Sequence, residues 1–393
     1  MEGRDPPPMT RPTQTQESRT RLRDGLGFSF LVFIALRVAL SVVSIVAVGT
    51  VKPPAYATDP EVRLTRGWHN AIDATDRWDA RWFERIAEDG YDPTDASAAF
   101  FPGYPLTIRA ITWTQLIGTF DAALVVSNVA FFGALTVLFA LTSAEFSTDM
   151  ARRTLILLAA FPVSFFYLSP YSESLFLLTS LLAFWWARRG KWGAAGLAGF
   201  LAAGTRVVGI FLVPALLVEA WTVEPDQRRK AVAASFLPAL APLAYAFYWF
   251  ARTGDALRPF HAQDSWFRTF EVPIVSLANA VWLGITGITD AHGIYWTADL
   301  VLTAAVLVPL ALRWRMIPRP YLGYVIASGV VILSYPLPAR PLLSAPRFLI
   351  VLFPAFWALA DLCVGRRFVL VSAVFCVGFV LMTATFVNWG FVF

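Results

Sequence analysis

The chain has 393 residues, of which 57% are hydrophobic and only 15% are charged, and its mean hydropathy is +0.58. This composition excludes an ordinary soluble domain and indicates a polytopic membrane protein, because many apolar runs are long enough to cross a bilayer. The net charge of +5 does not indicate a nucleic-acid partner, since the basic residues lie mainly in short loops where membrane orientation explains them. Cys363 and Cys376 lie within or at the end of apolar runs, which argues against a disulfide framework or a cysteine metal site.

The N-terminal residues 1–25 are rich in Pro, Thr and Arg and contain almost nothing to bury, which predicts a disordered cytoplasmic tail. The apolar run 26–50 that follows is of spanning length. The tripeptide Ala55-Tyr56-Ala57 resembles a signal-peptide cleavage site. The long polar lead and the length of the run favour a retained membrane anchor instead.

The loops rich in Lys and Arg order the apolar runs into one topology that begins in the cytoplasm. It predicts an all-α transmembrane bundle over residues 26–393 with about eleven spans and a range of about 9 to 13. Segments 104–120 and 273–289 are moderately apolar; we expect interfacial or re-entrant helices there, although either could be a span. The predicted spans cover 27–50, 121–144, 154–169, 171–187, a short pair across 192–220, 231–251, 297–312, 319–335, 347–363 and 368–388.

The first extracytoplasmic loop, residues 51–120, contains the polar segment DRWDARWFERIAEDGY. On a helix its aromatic and aliphatic residues form one apolar arc, and Asp79 falls within that arc. One explanation is local: Asp76 would be the N-cap, and an acid at the third helical position would stabilise the helix start. The other is chemical, because a partly desolvated carboxylate is a better proton acceptor. The two explanations are compatible.

The same topology brings further polar residues to the outer face. Arg206 lies in a tight turn between Gly204 and Gly209, where a guanidinium suits a phosphate, with an interfacial anchor as the alternative. Arg347 heads an apolar helix and has the same two interpretations, because snorkelling is common there. Glu173 is near an outer turn and would either recognise sugar hydroxyls or pair with an outer Arg.

Three blocks of the sequence resemble a known family. RWDARWFERIAEDGY with AAFFPGYPL is similar to the first luminal loop of the PIG-V family, the dolichol-phosphate-mannose-dependent mannosyltransferases that add the second mannose of GPI anchors. FPVSFFYLSPYSESLF and AGTRVVG resemble two later blocks of that family, and AQDSW and PRFL are weaker echoes. Val207 and Val208 depart from the family's Ser-Asn pair. The resemblance covers residues 77 to about 350, which is most of the membrane domain.

The resemblance implies the GT-C class of multispanning glycosyltransferases, which use lipid-phosphate sugars and hold their acid in the first outer loop. Asp79 matches that acid and is the predicted catalytic residue. The implied donor is a polyprenyl-phosphate mannose, and the implied acceptor is a glycolipid or a cell-envelope glycan. The substrate-binding residues that we predict are Arg77, Trp78, Tyr171, Glu173, Arg206, Gln263, Trp266 and Arg347.

The predicted protein is therefore a multi-pass plasma-membrane mannosyltransferase with its active site on the extracytoplasmic face. It would work with inversion, give an α-mannoside and need no cofactor or metal. The acidic run Asp73, Asp76 and Asp79 fits a solvated face better than a metal site. Two alternatives are a GT-C transferase of arabinofuranose or glucose and, in another class, a transporter or flippase. The outer position of the polar groups and the lack of a repeat count against transport.

Overall fold

The computed structural model describes residues 14–50, 67–287 and 293–390. Within these ranges the regular structure is helical, apart from an isolated bridge between Leu337 and Arg340, so the predicted all-α class is confirmed. The helices are α1 Gln14–Thr50, α2 Asn70–Asp73, α3 Asp79–Asp89, α4 Gly103–Thr112, α5 Thr119–Glu145, α6 Thr148–Ala160, α7 Glu173–Ala187, α8 Trp192–Thr205, α9 Leu212–Ala220, α10 Pro225–Ser235, α11 Leu237–Thr253, α12 Arg258–His261, α13 Pro273–Thr286, α14 Gly293–Arg313, α15 Arg319–Leu333, α16 Ala345–Leu349, α17 Phe353–Leu362 and α18 Arg366–Val387.

The described residues form a multi-pass membrane bundle. Five helical stretches are long and apolar enough to cross a bilayer: Arg23–Thr50, Thr119–Glu145, Pro225–Thr253, Gly293–Met316 and Arg366–Val387. Shorter apolar helices lie among them, including Glu173–Ala187, Arg319–Leu333 and Phe353–Leu362. The predicted number of about eleven spans stays a prediction, because these shorter helices cannot be counted as spans by length alone.

The N-terminal helix is longer than predicted. α1 begins at Gln14, so the prediction of disorder is wrong for residues 14–25, while residues 1–13 lie outside the described part. The added segment consists largely of Gln, Glu, Arg and Leu, which favour helix, and extending an existing helix costs much less than nucleating one. The tripeptide Ala55-Tyr56-Ala57 also lies outside the described residues.

Proline shortens two predicted spans. The span predicted for 154–169 ends as α6 at Ala160, followed by a 3-10 turn, since Pro162 cannot continue a helix. The span predicted for 347–363 is divided between α16 and α17, and Pro354 lies in the first turn of α17. Both breaks bring irregular backbone to the same end of the bundle as the first loop.

Close packing of α8 fixes the position of its C-terminal end. A Cβ atom at Gly196 would lie 2.5 Å from the carbonyl oxygen of Ala234, and one at Gly199 would lie 2.5 Å from Pro238 Cγ. Only glycine allows α10 and α11 to approach this closely, as in small-residue packing between membrane helices. α8 then ends at Thr205, and a 3-10 turn leads into α9, in agreement with the predicted pair of short helices.

The first loop is anchored to the bundle by buried hydrogen bonds. The Tyr104 hydroxyl in α4 donates to the carbonyl oxygen of Ala123, 2.9 Å away, and lies 2.8 Å from the hydroxyl of Ser127. Ser127 in turn donates to the carbonyl oxygen of Tyr171 at 3.0 Å. These bonds connect the loop to α5 and to the segment before α7, and so bring α3 next to the start of α7.

Candidate active site

A cavity of about 660 Å³ lies where the first loop meets the later connecting segments. Its walls come from α3 and the segment 99–101, the turn after α8, residues 259–268, the stretch from Val331 to Phe348, and Trp389. Six of the predicted site residues line it: Trp78, Asp79, Arg206, Gln263, Trp266 and Arg347. The cavity therefore joins parts of the sequence that are far apart.

Asp79 is the first residue of α3. The position before it, Trp78, has φ 54° and ψ −114°, in the left-handed half of conformational space that bulky residues rarely adopt. The predicted cap is wrong, because Asp76 lies before a turn rather than at the helix start, and its carboxylate faces Arg81 at 3.5 Å. Because Asp79 lies in the first turn, the helix macrodipole stabilises its negative charge. The Asp79 side chain is 29% exposed.

Arg347 connects two carboxylates. Its Nη1 donates to Asp79 Oδ2 at 2.6 Å and its Nε donates to Glu173 Oε1 at 2.5 Å. Arg206 Nη1 also lies 2.8 Å from Glu173 Oε1. The Glu173 side chain is fully buried and the Arg347 side chain is 6% exposed. The structure thus pairs Glu173 with two arginines, which agrees with one of its two predicted interpretations.

Aromatic rings surround this ion cluster. The guanidinium carbon of Arg347 lies 4.5 Å from the ring centre of Tyr171 and 4.9 Å from that of Phe166. The guanidinium carbon of Arg206 lies 4.8 Å from the ring centre of Phe348. These rings attract the cations and exclude water from them, so the charge interactions act in a low dielectric.

Arg77 and Tyr171 contact the site from behind and do not line the cavity. The buried Arg77 guanidinium donates to main-chain carbonyl oxygens of Val387 at 3.0 Å and Asp76 at 2.8 Å. The Tyr171 hydroxyl donates to the carbonyl oxygen of Arg77 at 2.6 Å. Desolvation by burial lowers the pKa of Arg77 to about 10. Both side chains hold the backbone that leads into Asp79.

An aromatic wall closes another side of the cavity. Trp82 stacks on Phe100 with ring centres 5.5 Å apart, and Trp266 meets Trp82 edge-on at 6.0 Å. The Arg85 guanidinium lies over the Trp82 ring, 4.3 Å from its centre. Flat, rigid rings beside polar groups are well suited to contact with a sugar face. Gln263 lies next to them on the cavity wall.

The predicted site residues left out two charged residues of the cavity wall, Arg81 and Arg268. Arg81 faces Asp76 at 3.5 Å. Arg268 Nη1 donates to the carbonyl oxygen of Tyr335 at 3.0 Å, and its Nη2 donates to Ser344 Oγ at 3.1 Å and to the carbonyl oxygen of Leu343 at 3.3 Å. Burial lowers the pKa of Arg268 to about 10, so the side chain remains a cation at neutral pH. The signal in the sequence was an arginine in an outer loop, where the positive-inside bias depletes arginine.

The described part of the chain contains no cluster of side chains suited to a metal ion. Within residues 14–50, 67–287 and 293–390, no group of three or more His, Cys, Asp or Glu side chains could hold a metal ion. Asp76 and Asp79 instead face different arginines, Arg81 and Arg347. Metal independence stays a prediction.

Comparison with known proteins matches the family that the sequence resembles. The family described as Mannosyltransferase (PIG-V) matches residues 30–221. GPI alpha-1,6-mannosyltransferase 2 of Rattus norvegicus is 33% identical over 156 residues, which is 36% of this chain and 30% of the rat protein. The same protein of Cricetulus griseus is 31% identical over 181 residues, 42% of this chain and 35% of that protein. The matched region thus spans about a third of the length of these relatives.

One solved structure resembles the fold at a lower level. It is ArnT from Cupriavidus metallidurans bound to undecaprenyl phosphate, with a TM-score of 0.47 and 16% identity. The superposition covers 85% of this chain and 59% of ArnT.

Proposed function

We propose that this chain, which matches the family described as Mannosyltransferase (PIG-V) over residues 30–221, is a membrane mannosyltransferase that uses polyprenyl-phosphate mannose. The mannose would pass to a hydroxyl group of a glycolipid or cell-envelope glycan on the extracytoplasmic face of the plasma membrane. The observation that supports this most directly is the cluster of Asp79, Glu173 and Arg206, because each residue comes from a different one of the three blocks that resemble the family.

Asp79 would act as the general base. In a β-linked donor the anomeric carbon is bonded to a phosphate, which is a good leaving group and needs no acid. The acceptor oxygen forms its bond to that carbon as the carbon–phosphate oxygen bond breaks, and the electron pair leaves with the lipid phosphate. Asp79 takes the hydroxyl proton. A single displacement inverts the anomeric centre and gives an α-mannoside.

Arg347 and Arg206 would support this step in different ways. Arg347 fixes one oxygen of Asp79 at 2.6 Å, so the carboxylate has a defined direction, and the second oxygen is available to an acceptor. Arg206 lines the cavity and shares Glu173 with Arg347, which concentrates positive charge near the place where phosphate charge develops. Trp266 and Gln263 would contact the sugars.

The decisive experiment replaces the proposed base. Purified wild type and Asp79→Asn are assayed with synthetic polyprenyl-phosphate mannose and extracted envelope glycolipids. We expect Asp79→Asn to lower kcat by about 10²- to 10⁴-fold, the usual contribution of a general base. Asp89→Asn is the matched control, since Asp89 is an exposed acid on the same helix and outside the cavity wall.

The cellular version uses mass spectrometry of envelope glycolipids in a deletion strain. Complementation by wild type and by Asp89→Asn should restore a missing mannose, and Asp79→Asn should not. Restoration by Asp79→Asn would remove Asp79 as the base. If wild type leaves polyprenyl-phosphate mannose unused but consumes the arabinofuranose or glucose analogue, the donor sugar in this proposal is wrong.

A further inference from the structure

The cavity contains more positive than negative charge. Four arginines line it: Arg81, Arg206, Arg268 and Arg347. Three of them face carboxylates, at 3.5 Å for Arg81 and Asp76 and at 2.8 Å for Arg206 and Glu173, while Arg347 bridges Asp79 and Glu173. In the described part of the chain, the hydrogen bonds of Arg268 go only to neutral acceptors.

Hydrogen bonds hold the Arg268 guanidinium in place, and some of its N–H groups remain outside these bonds. A guanidinium has five N–H groups, and the three bonds to Tyr335, Leu343 and Ser344 use one on Nη1 and two on Nη2. The N–H on Nε and the second one on Nη1 lie outside these bonds. The side chain is therefore fixed by neutral groups that orient it without cancelling its charge.

Arg268 is also within electrostatic reach of the reacting centre. Arg268, Arg347 and Asp79 all line the cavity, and the guanidinium carbons of Arg268 and Arg347 lie 5.7 Å and 5.4 Å from the ring centre of Phe348. A partly buried cation that has no counter-ion among the described residues is costly, and an anion of the right shape removes that cost. Phosphate oxygens match the guanidinium fork well.

The residues beside Arg268 indicate what the anion is attached to. Phe267, which also lines the cavity, is 77% exposed, and Phe270 is 70% exposed. Val272 and Ile274 continue this exposed apolar surface. A soluble phosphate would not contact such an apolar surface. A lipid phosphate has an anion for Arg268 and a hydrocarbon chain for the apolar surface.

We propose that Arg268 binds the phosphate of the lipid-linked donor and that the attached hydrocarbon chain leaves the cavity across Phe267 and Phe270. This inference rests on the proposed function and revises its phosphate site. Arg206 and Arg347 keep their carboxylate partners. Arg268 supplies the positive charge that pairs with the phosphate of the donor. Its three neutral hydrogen bonds hold it ready before the donor arrives.

The test measures selectivity rather than activity. The purified full chain in detergent is titrated with a short polyprenyl phosphate, with the matching polyprenol and with inorganic phosphate, and binding is followed by tryptophan fluorescence. Wild type should bind the lipid phosphate about 10- to 100-fold more tightly than the alcohol, as a charge-assisted hydrogen bond predicts. Arg268→Gln should bring this ratio close to one, and Arg268→Lys should keep part of it.

Arg252→Gln is the control, because Arg252 is an exposed arginine at the end of α11 that contacts Tyr248 and does not line the cavity. It should keep the wild-type ratio. A wild-type ratio in Arg268→Gln would overturn the inference. Equal loss of both lipids in Arg268→Gln would also overturn it, since a residue that only holds the loop affects phosphate and alcohol alike. If inorganic phosphate binds as tightly as the lipid phosphate, the proposed contact of the hydrocarbon chain with Phe267 and Phe270 is wrong.

The two proposals can fail separately. If Arg268→Gln loses selectivity for the lipid phosphate while wild type does not use the mannose donor, Arg268 is a lipid-phosphate site and the donor carries another sugar. If wild type transfers mannose and Arg268→Gln binds donor phosphate normally, the proposed function holds and this inference is wrong.

Discussion

Arg347 is the residue on which the geometry of the proposed site depends. Its planar guanidinium reaches Asp79 through Nη1 and Glu173 through Nε. A lysine ammonium has a similar charge but cannot hold two carboxylates in a fixed fork. The role of Arg347 is therefore testable with a substitution that preserves charge.

Arg347→Lys should lower kcat by about 10- to 100-fold with a smaller change in the KM for donor, because Asp79 loses its fixed orientation while the cavity stays cationic. Steady-state kinetics in detergent, with the Arg252→Gln control, would measure this. A large rise in KM at constant kcat would mean that Arg347 binds the donor directly.

At the level of single residues the sequence was informative about position and less so about partners. Asp79, Gln263 and Trp266 were predicted from their patterns and neighbouring motifs, and all three line the cavity. Arg77 was predicted to bind substrate but its guanidinium bonds the carbonyl oxygen of Val387, 310 positions away. No local pattern encodes a partner at that distance.

The turn after α8 is the element that carries Arg206 to the cavity. It folds back so closely that a Cβ atom at Gly209 would lie 2.5 Å from both Cα and N of Ala203. Such a clash with backbone cannot be relieved by a change of rotamer, so the turn itself would have to move. The glycine therefore maintains the position of Arg206 relative to Glu173.

Gly209→Ala should lower transfer activity by about 10- to 100-fold, since a shift of the turn separates Arg206 from its partner. Gly329→Ala in α15 is the matched control, because a Cβ atom there meets nothing within 4 Å, and its activity should stay near wild type. Activity assays and thermal denaturation of both variants check this. Full activity in Gly209→Ala would show that the turn does not position the site.

At the scale of the whole molecule, a second charged cluster lies at the end that the topology assigns to the cytoplasm. Arg188, at the end of α7, lies 2.8 Å from Glu145 of α5 and 3.1 Å from Glu219 of α9. The hydroxyl of Tyr321 in α15 also donates to Glu145 at 2.8 Å. Four helices thus meet at one point that is not part of the cavity wall.

Arg188→Gln should lower the free energy of unfolding by about 1–3 kcal/mol, because it leaves two carboxylates close together without their cation. The KM for donor should not change. Arg152→Gln removes a pair with Asp149 whose side chains are 55% and 78% exposed, and it should cost less than about 0.5 kcal/mol. Thermal unfolding in detergent, followed with kinetics at one temperature, separates the two variants; equal stabilities would contradict this role.

The fold could be predicted in class but not in detail. Long apolar runs identify helices directly, so the all-α class and the positions of α5 and α18 follow from sequence. The breaks at Pro162 and Pro354 were missed because hydropathy does not register the loss of one backbone donor. The charged loops predicted that the polar residues lie on one face of the membrane. Which of these residues pair could not be predicted, because pairing depends on how the helices pack.

The residues of the ion cluster are synthesised at different times. Asp79 and Arg347 are separated by 268 positions in the sequence. During synthesis Asp79 therefore emerges from the ribosome long before Arg347. A nascent chain that has grown only as far as α15 holds the carboxylate but lacks the arginine that fixes it, and Glu173 then has Arg206 alone. The proposed site for sugar transfer is therefore completed late in biogenesis, when α16 joins helices already in the membrane.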